Sequence, residues 1–344
     1  MELLVSLLLI YLVISLFIRL SKINKKISFY LNLIIMTITI GTIYEKIPSG
    51  GDFDVNRIGF NNVLSEPIPE KEVLFHFLKL SIRLITDNFY IAFFIFILII
   101  NYLILKMIYE YSNNIEASLI VYVIIGGYVI ATNITRQFIA ISIYFYSIKY
   151  LLKNKYLKYI LLNIIALGFH NTSIIASLIT LIIKRYNQRL FKYYNLYFIF
   201  INLIIFIEPI IRDIGINIFY DSYSDGSFFY GSSILHYIVQ LALVIFYMIN
   251  KDNIKSDTNK FFVNLAMISL GFNLLAVKMV MYSRFAAYFN IFNPIVLVNI
   301  IENNKSLKEK RIFIYLVFIL LITYYLLLTR KSFIFESHVV DFFN

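Results

Sequence analysis

The 344-residue sequence is 60% hydrophobic and 15% charged, with a mean hydropathy of +0.79 and a formal net charge of +11. This composition excludes an ordinary soluble domain, which is nearer about half apolar and about a quarter charged. The lack of cysteine excludes disulfides, Cys-ligated zinc and iron–sulfur clusters. The basic residues lie in short connectors between apolar blocks, a pattern that argues against nucleic-acid binding. We therefore predict an all-α, polytopic integral membrane protein.

The apolar blocks have the length of roughly 17 to 20 residues that crosses about 30 Å of hydrocarbon. They predict about ten full spans and one re-entrant helical hairpin in a single membrane domain, residues 1–344. The first block is interpreted as a retained span, because no basic region precedes it and no small-residue cleavage site follows it. The spans are expected over residues 2–19, 27–44, 88–105, 115–131, 136–152, 193–211, 233–250, 260–277, 285–301 and 312–328.

Connectors rich in lysine and arginine alternate along the chain with connectors that carry few basic residues. The positive-inside rule therefore predicts that the basic connectors face the cytoplasm. A large extracytoplasmic loop is then expected over residues 45–87 and a second over residues 212–232. We expect the stretch "VLFHFLKL" in the first loop to form a short interfacial helix, with His76 near a lipid-facing edge. The basic connectors lie within residues 22–26, 106, 153–158, 184–192, 251–260 and 305–311.

Three outer segments supply candidate site residues. In the first loop, Asp52 and Arg57 follow a Gly-Gly pair that permits close backbone approach to a ligand, although a simple solvated loop is the alternative. Arg136 and Arg284 each begin an apolar helix, where the helix dipole disfavours a cation. We expect a compensating anion there, either a carboxylate or a bound phosphate, with snorkelling to the interface as the alternative for Arg136. Their polar neighbours in sequence are Asn133, Gln137 and Tyr288.

The segment "LLNIIALGFHNTSIIASLITLIIKR", residues 161–185, is apolar but carries His170 and other polar residues in its middle. Basic residues flank it on both sides, and a single span would place those flanks on opposite faces of the membrane. We therefore predict a re-entrant hairpin over about residues 157–183, with half-helices over about 157–168 and 172–183. Non-helical backbone at that depth must face protein or a water-filled cavity, so His170 is expected in an outward-facing cavity. One long tilted helix with a hydrogen-bonded core histidine is the alternative.

Motifs for nucleotide binding and for common hydrolases are absent, including Walker A, Rossmann, HExxH and GxSxG sequences. We therefore expect no cofactor and no metal site. In the loop over residues 212–232, aspartates beside tyrosines are typical of sugar binding, but also of an interfacial aromatic belt.

Residues 133–179, which begin "NITRQF" and end "GFHNTSIIASLI", resemble the EpsG family of Wzy-like bacterial polysaccharide polymerases. The likeness rests on the N-x-x-R-Q helix start, the basic "KNKYLKY" turn and the apolar run ending in Phe-His. "GGDF" and "YSRFAAYF" resemble two further family motifs. The sequence departs from the family in having Lys46 where an arginine often precedes the Gly-Asp pair.

The resemblance implies a multi-pass membrane glycosyltransferase of the bacterial cytoplasmic membrane, with its active site facing outward and no metal requirement. It would polymerise undecaprenyl-pyrophosphate-linked oligosaccharide repeat units into exopolysaccharide, capsule or O-antigen. Arg136 and Arg284 would hold the diphosphate, and His170 and Asp52 are the two candidates for the base. The further substrate-binding candidates are Asn133, Gln137, Tyr288 and Arg57.

The partners expected beside the lipid-linked oligosaccharide are membrane lipids, a chain-length regulator and a flippase. Two functions of other classes stay open from the sequence. One is a lipid-linked oligosaccharide flippase or transporter, which would need a cationic site exposed to both sides and visible internal repeats. The other is a membrane acyltransferase that modifies polysaccharide.

Overall fold

A computed structural model describes residues 13, 23–46, 52–210, 231–232, 234–303, 322–323 and 334–337. The predicted spans over residues 2–19 and 312–328, and the second loop over 212–232, lie almost wholly outside the described residues. The chain forms two compact units. The N-terminal unit comprises residues 1–111, 115–173 and 325–344, and the C-terminal unit comprises residues 112–114 and 174–324.

The N-terminal unit is built around α4 (Phe89–Tyr111), which packs against α1 (Lys25–Gly41) and α7 (Thr135–Leu152), while α8 (Tyr156–Phe169) packs along α7. Strand β1 (Ile43–Lys46) pairs with β2 (Ile334–Ser337) in a two-stranded antiparallel ribbon, with Ile43 opposite Ser337 and Lys46 opposite Ile334. The expectation of an all-α fold is therefore correct for the bundle but misses this ribbon. The elements are α1 Lys25–Gly41, β1 Ile43–Lys46, α2 Asp52–Asn61, α3 Val73–Arg83, α4 Phe89–Tyr111, α5 Ile115–Ile124, α6 Gly127–Asn133, α7 Thr135–Leu152, α8 Tyr156–Phe169 and β2 Ile334–Ser337.

Buried polar side chains join helices of the N-terminal unit. Asn32 of α1 donates to Tyr109 of α4 at 3.1 Å, and Asn163 of α8 donates to Ser147 of α7 at 2.9 Å. In a membrane, helix association gains little from apolar burial, and such hydrogen bonds contribute about 0.6 to 2 kcal/mol each. The pairs therefore help to fix the register of α1 on α4 and of α8 on α7, and α8 carries His170 at its end.

The C-terminal unit is organised around α12 (Asp257–Ala276), which packs against α10 (Tyr194–Leu203), α11 (Ile234–Ile249), α13 (Met281–Asn290) and α14 (Asn293–Asn303). Its interior also contains hydrogen-bonded amides, because Asn293 donates to Gln240 at 2.9 Å and Gln240 donates to the Ala266 carbonyl at 2.9 Å. The elements are α9 Ser173–Lys192, α10 Tyr194–Leu203, α11 Ile234–Ile249, α12 Asp257–Ala276, α13 Met281–Asn290 and α14 Asn293–Asn303.

Three helical segments in the described part of the chain are long and apolar enough to cross a membrane. They are Phe89–Tyr111, Asp257–Ala276 and Met281–Asn303, the last taken through the short break between α13 and α14. Ser173–Lys192 and Tyr194–Ile210 pass the same test only as a pair, which bends by 118°. An apolar helical bundle is thus present, and the count of about ten spans stays a prediction.

Several predicted boundaries are wrong for identifiable reasons. The span predicted over residues 115–131 is split into α5 and α6, because Gly126 takes a left-handed conformation with φ 83°. The half-helix predicted over 172–183 begins at Ser173 but continues to Lys192. His76 is only 5% exposed and does not lie at an open edge of its helix. The helix predicted in the first loop is α3, and its position on the membrane surface stays a prediction.

Candidate functional site

The end of α8 leads into the polar turn that the sequence singled out. α8 ends at Phe169, and His170 takes an extended conformation, φ −157° and ψ 125°, while its backbone N–H still donates to the Ala166 carbonyl at 2.9 Å. α9 begins at Ser173. The side chains of Asn, Thr and Ser compete with helical hydrogen bonding, so the helix is interrupted where these residues follow one another.

The opposite wall of the site is the residue that precedes α3. Glu72 caps this helix in a left-handed conformation, φ 60° and ψ 36°. A non-glycine residue occupies this region only where its surroundings hold it there. Its carboxylate is the point at which three parts of the N-terminal unit meet.

Both oxygens of the Glu72 carboxylate are engaged. Oε1 is hydrogen-bonded to Nδ1 of His170 and accepts a longer bond, 3.4 Å, from the backbone N–H of Asn171. Oε2 forms an ion pair with Nη1 of Arg136 at 2.7 Å. The carboxylate thus connects the first turn of α7 to the turn after α8. The sequence predicted an anion beside Arg136, either a carboxylate or a bound phosphate, and the structure shows a carboxylate there.

Burial differs across this cluster, which we call the Glu72 cluster and define as Glu72, Arg136, His170 and Asn171. The side chain of Glu72 is 13% exposed and that of His170 is 8% exposed, whereas that of Arg136 is 43% exposed. Burial alone would raise the pKa of Glu72, but the hydrogen bond and charge of His170, the Arg136 guanidinium and the Asn171 N–H outweigh it. The pKa of Glu72 therefore lies below its ordinary value of 4.5, and the carboxylate is ionised at neutral pH.

The two ring nitrogens of His170 have different surroundings. Nδ1 faces the carboxylate, whereas Nε2 is buried and has no hydrogen-bond partner among the residues that the structure describes. When the neutral imidazole donates its Nδ1–H to Glu72, the lone pair is on Nε2. The ring is therefore oriented by Glu72 on one side, and on the other side its Nε2 has an unfilled hydrogen-bonding capacity.

A second cation lies in the same unit. The ammonium of Lys79 on α3 donates to the Gly59 carbonyl at 3.0 Å and stands 5.5 Å from the ring centre of Phe75. Burial lowers the pKa of Lys79, Glu66 raises it in part, and the positive charge of Arg136 lowers it further. Lys79 is thus close enough to Arg136 for the two positive charges to interact.

The remaining candidates of the N-terminal unit lie around or apart from this cluster. Asn133 ends α6 and Gln137 is buried in the first turn of α7, so both flank Arg136 along the chain. Asp52 is the half-buried first residue of α2. Arg57 is exposed and pairs with Asp54 on the same helix at 3.0 Å, an arrangement typical of a solvated helix face.

The late arginine belongs to the other unit. Arg284 is half-buried on α13, and Tyr288 of the same helix is fully buried. The sequence predicts that both lie on the outer side of the membrane, and their role in the site stays a prediction.

Comparison with protein families decides the relationship that the motifs suggested. The EpsG family profile matches residues 30–338, which is nearly the whole chain. The chain belongs to the EpsG family. Comparisons with curated proteins and with solved structures gave no match. The predicted resemblance is thereby confirmed, and the family together with the apolar helices indicates a membrane protein with a role in polysaccharide biosynthesis.

Sequence reasoning missed one central residue of this EpsG-family protein, Glu72. The stretch "PEKEVLFHF" contains two carboxylates directly before an apolar helix, and Glu72 is the one next to that helix. The requirement for an anion near Arg136 was a usable signal. This signal did not identify Glu72, because Glu72 is far in sequence from both Arg136 and His170, and 98 positions separate it from His170.

The Glu72 cluster has the groups needed for anion binding and for proton transfer. A guanidinium with an exposed part can donate to phosphate oxygens even while one nitrogen is held by a carboxylate. An imidazole oriented by a carboxylate is suited to accept a proton on its other nitrogen. In this EpsG-family protein both groups are held by the same carboxylate.

Proposed function

We propose that this protein joins undecaprenyl-pyrophosphate-linked oligosaccharide repeat units into exopolysaccharide, capsule or O-antigen at the outer face of the bacterial cytoplasmic membrane. Membership of a family associated with polysaccharide biosynthesis supports the reaction class. The observation that carries the proposal is that one half-buried carboxylate, that of Glu72, holds both Arg136 and His170. The cluster thus combines an anion-binding group with a proton acceptor.

The chemistry of the donor accounts for the arginines. The growing glycan is linked through its anomeric carbon to a lipid diphosphate, and this diphosphate leaves as negative charge develops on its bridging oxygen. Arg136, whose side chain is 43% exposed, offers its guanidinium to that charge, and Arg284 is proposed as the second cation. Bidentate guanidinium contacts neutralise phosphate charge without a metal ion, so metal independence is part of the proposal.

The acceptor is the next lipid-linked repeat unit, which supplies a sugar hydroxyl. Its oxygen attacks the anomeric carbon as an oxocarbenium-like transition state forms, and a base is needed only to receive the hydroxyl proton. His170 and Asp52 are the candidates for that base. Asn133, Gln137, Tyr288 and Arg57 are proposed as further contacts to the glycan or the diphosphate.

Analysis of carrier lipids in a deletion strain tests this function. We expect single repeat units on the carrier to accumulate at the outer face and long polymer to disappear. Arg136→Ala and Arg284→Ala should each reproduce the deletion at normal protein levels, whereas the exposed Arg189→Ala serves as a matched control and should restore polymer. Repeat units confined to the cytoplasmic face would instead indicate a flippase, and long polymer made by both arginine variants would contradict the assigned site.

A further inference from the structure

We propose that Glu72 is the positioning residue that makes His170 the base of the polymerisation reaction, an inference that rests on the proposed function. The side chain of Glu72 acts through the imidazole and through Arg136 rather than on the sugar. Its assignment follows from the contacts on its two oxygens, from its backbone conformation and from the partner-free nitrogen of His170.

The imidazole of His170 is oriented by the carboxylate. Nδ1 of His170 is hydrogen-bonded to Oε1 of Glu72, and in the neutral ring this contact selects the tautomer with a proton on Nδ1 and a lone pair on Nε2. The Asn171 N–H at 3.4 Å and the Arg136 guanidinium at 2.7 Å hold the carboxylate from its other sides. The Glu72 carboxylate therefore orients the imidazole ring, and Arg136 and Asn171 hold the carboxylate in place.

The other ring nitrogen of His170, Nε2, has no hydrogen-bond partner among the described residues. A histidine with a purely structural role usually has both ring nitrogens hydrogen-bonded when it is buried. Nε2 of His170 is buried without a partner in the described residues, in a side chain that is only 8% exposed. A sugar hydroxyl that reaches this nitrogen would supply the missing hydrogen bond and place its proton on the line of transfer.

The backbone of Glu72 is held in an unusual conformation. Glu72 is held at φ 60°, a conformation that few non-glycine residues adopt. Local strain of this kind persists where the surroundings require a side chain in one place. Here it directs the carboxylate towards α7 and the end of α8, not towards solvent.

The reaction balances with these groups alone. The acceptor oxygen forms a bond to the anomeric carbon, and the bond from that carbon to the diphosphate oxygen breaks. Undecaprenyl pyrophosphate leaves with the electron pair and is held by Arg136. The hydroxyl proton passes to Nε2 of His170, and the carboxylate of Glu72 stabilises the imidazolium before the proton is released to water.

This arrangement assigns the base to His170 and not to Asp52. Asp52 begins α2, and no hydrogen bond or ion pair among the described residues joins it to the Glu72 cluster. The shared carboxylate gives His170 a property that Asp52 lacks, because it sets the distance between the base and the diphosphate-binding cation. We therefore expect a change at Glu72 to alter turnover more than substrate binding.

A kinetic double-mutant cycle tests the inference. Initial rates of polymer formation are measured in membranes that carry equal amounts of each variant, with single lipid-linked repeat units extracted from the deletion strain as the substrate. Glu72→Gln keeps the size and an acceptor for Arg136, but its amide presents a donor to Nδ1 and favours the wrong tautomer. We expect kcat to fall about 100-fold with KM within about twofold of wild type.

The double variant shows whether Glu72 acts through the imidazole. We expect Glu72→Gln combined with His170→Ala to be no slower than His170→Ala alone, within about twofold, because residues that act as one unit are not additive. Glu70→Gln, an exposed carboxylate two positions earlier, is the matched control and should have wild-type rates. Losses that multiply in the double variant would show a merely structural role and overturn the inference.

A conservative variant covers the case in which Glu72→Gln does not accumulate. Glu72→Asp keeps the charge with a shorter side chain, and we expect its kcat to fall about tenfold with KM nearly unchanged. A raised KM with unchanged kcat would overturn the inference, because Glu72 would then act on substrate binding. Wild-type membranes that form no polymer would overturn the proposed function as well, whereas normal turnover by Glu72→Gln would overturn this inference alone.

Discussion

Glu72 explains why Arg136 can occupy an unfavourable position at the start of α7. A cation at a helix N-terminus is opposed by the helix dipole, and the half-buried Glu72 carboxylate at 2.7 Å compensates for it. The ion pair leaves 43% of the Arg136 side chain exposed, so structural compensation and anion binding are compatible in one residue. Truncation of either partner is costly, because it leaves the other without its counter-charge.

The low pKa of Glu72 predicts a defined dependence of stability on pH. A carboxylate whose folded-state pKa is depressed contributes stability above its unfolded pKa and loses it as pH falls through the folded value. The melting temperature of purified wild type should therefore exceed that of Glu72→Gln at about pH 7, and the difference should close as pH falls below about 4.5. Thermal unfolding in detergent checks this. A difference that is constant over this range, or one that Glu70→Gln reproduces, would contradict the role of the charge.

The contact between α3 and α8 positions the two halves of the site. Glu72 directly precedes α3 and His170 directly follows α8. Leu74 is the second residue of α3, and Gly168 is the next-to-last residue of α8. A Cβ on Gly168 would stand 2.6 Å from both Cγ and Cδ1 of Leu74, closer than side-chain atoms tolerate. Glycine at position 168 therefore permits the close approach that brings the imidazole to the carboxylate.

A substitution at this contact should move the site without touching its chemistry. Gly168→Ala is expected to separate α8 from α3 and to reduce the polymerisation rate by at least about tenfold, because small displacements of catalytic groups cost large factors in rate. Leu74→Ala alone should have a small effect, and the double variant should recover most of the rate since the clash is removed. Rates in membranes at matched protein levels provide the measurement. An unchanged rate for Gly168→Ala, or no recovery in the double variant, would contradict this packing role.

The helix boundaries show which parts of the fold local sequence determines. The interruption between about residues 168 and 172 was predicted from the basic residues on both flanks of the segment. Its local cause is that consecutive Asn, Thr and Ser side chains disfavour helix. The extension of α9 to Lys192 was not, since span prediction stops at charged residues, whereas lysine and arginine are good helix formers. The pairing of Glu72 with His170 was beyond local reasoning. It depends on the approach of α3 to α8, and no short-range spacing encodes that contact.

The charges predict how the molecule is oriented in the membrane. α8 has 14 residues and is about 21 Å long, with exposed Lys155 just before it and the Glu72 cluster at its other end. The positive-inside rule predicts that Lys155 lies on the cytoplasmic side. The Glu72 cluster is then expected towards the outer leaflet, where the proposed polymerisation takes place.

Single cysteines test this orientation in a chain that has no native cysteine. Glu70→Cys, at an exposed position two residues from Glu72, should react with a membrane-impermeant maleimide in intact spheroplasts. Lys155→Cys should react only after permeabilisation. The reverse pattern would place the Glu72 cluster on the cytoplasmic side and contradict polymerisation at the outer face.

We propose that this EpsG-family protein forms glycosidic bonds between lipid-linked repeat units. Reconstitution of the purified protein in liposomes tests this most directly, with single repeat units extracted from the deletion strain as substrate and gel analysis of glycan length as the readout. We expect a ladder of polymers with one undecaprenyl pyrophosphate released per bond, and only single units with Arg136→Ala or His170→Ala. Single units alone from folded wild-type protein, or a normal ladder from both variants, would contradict it.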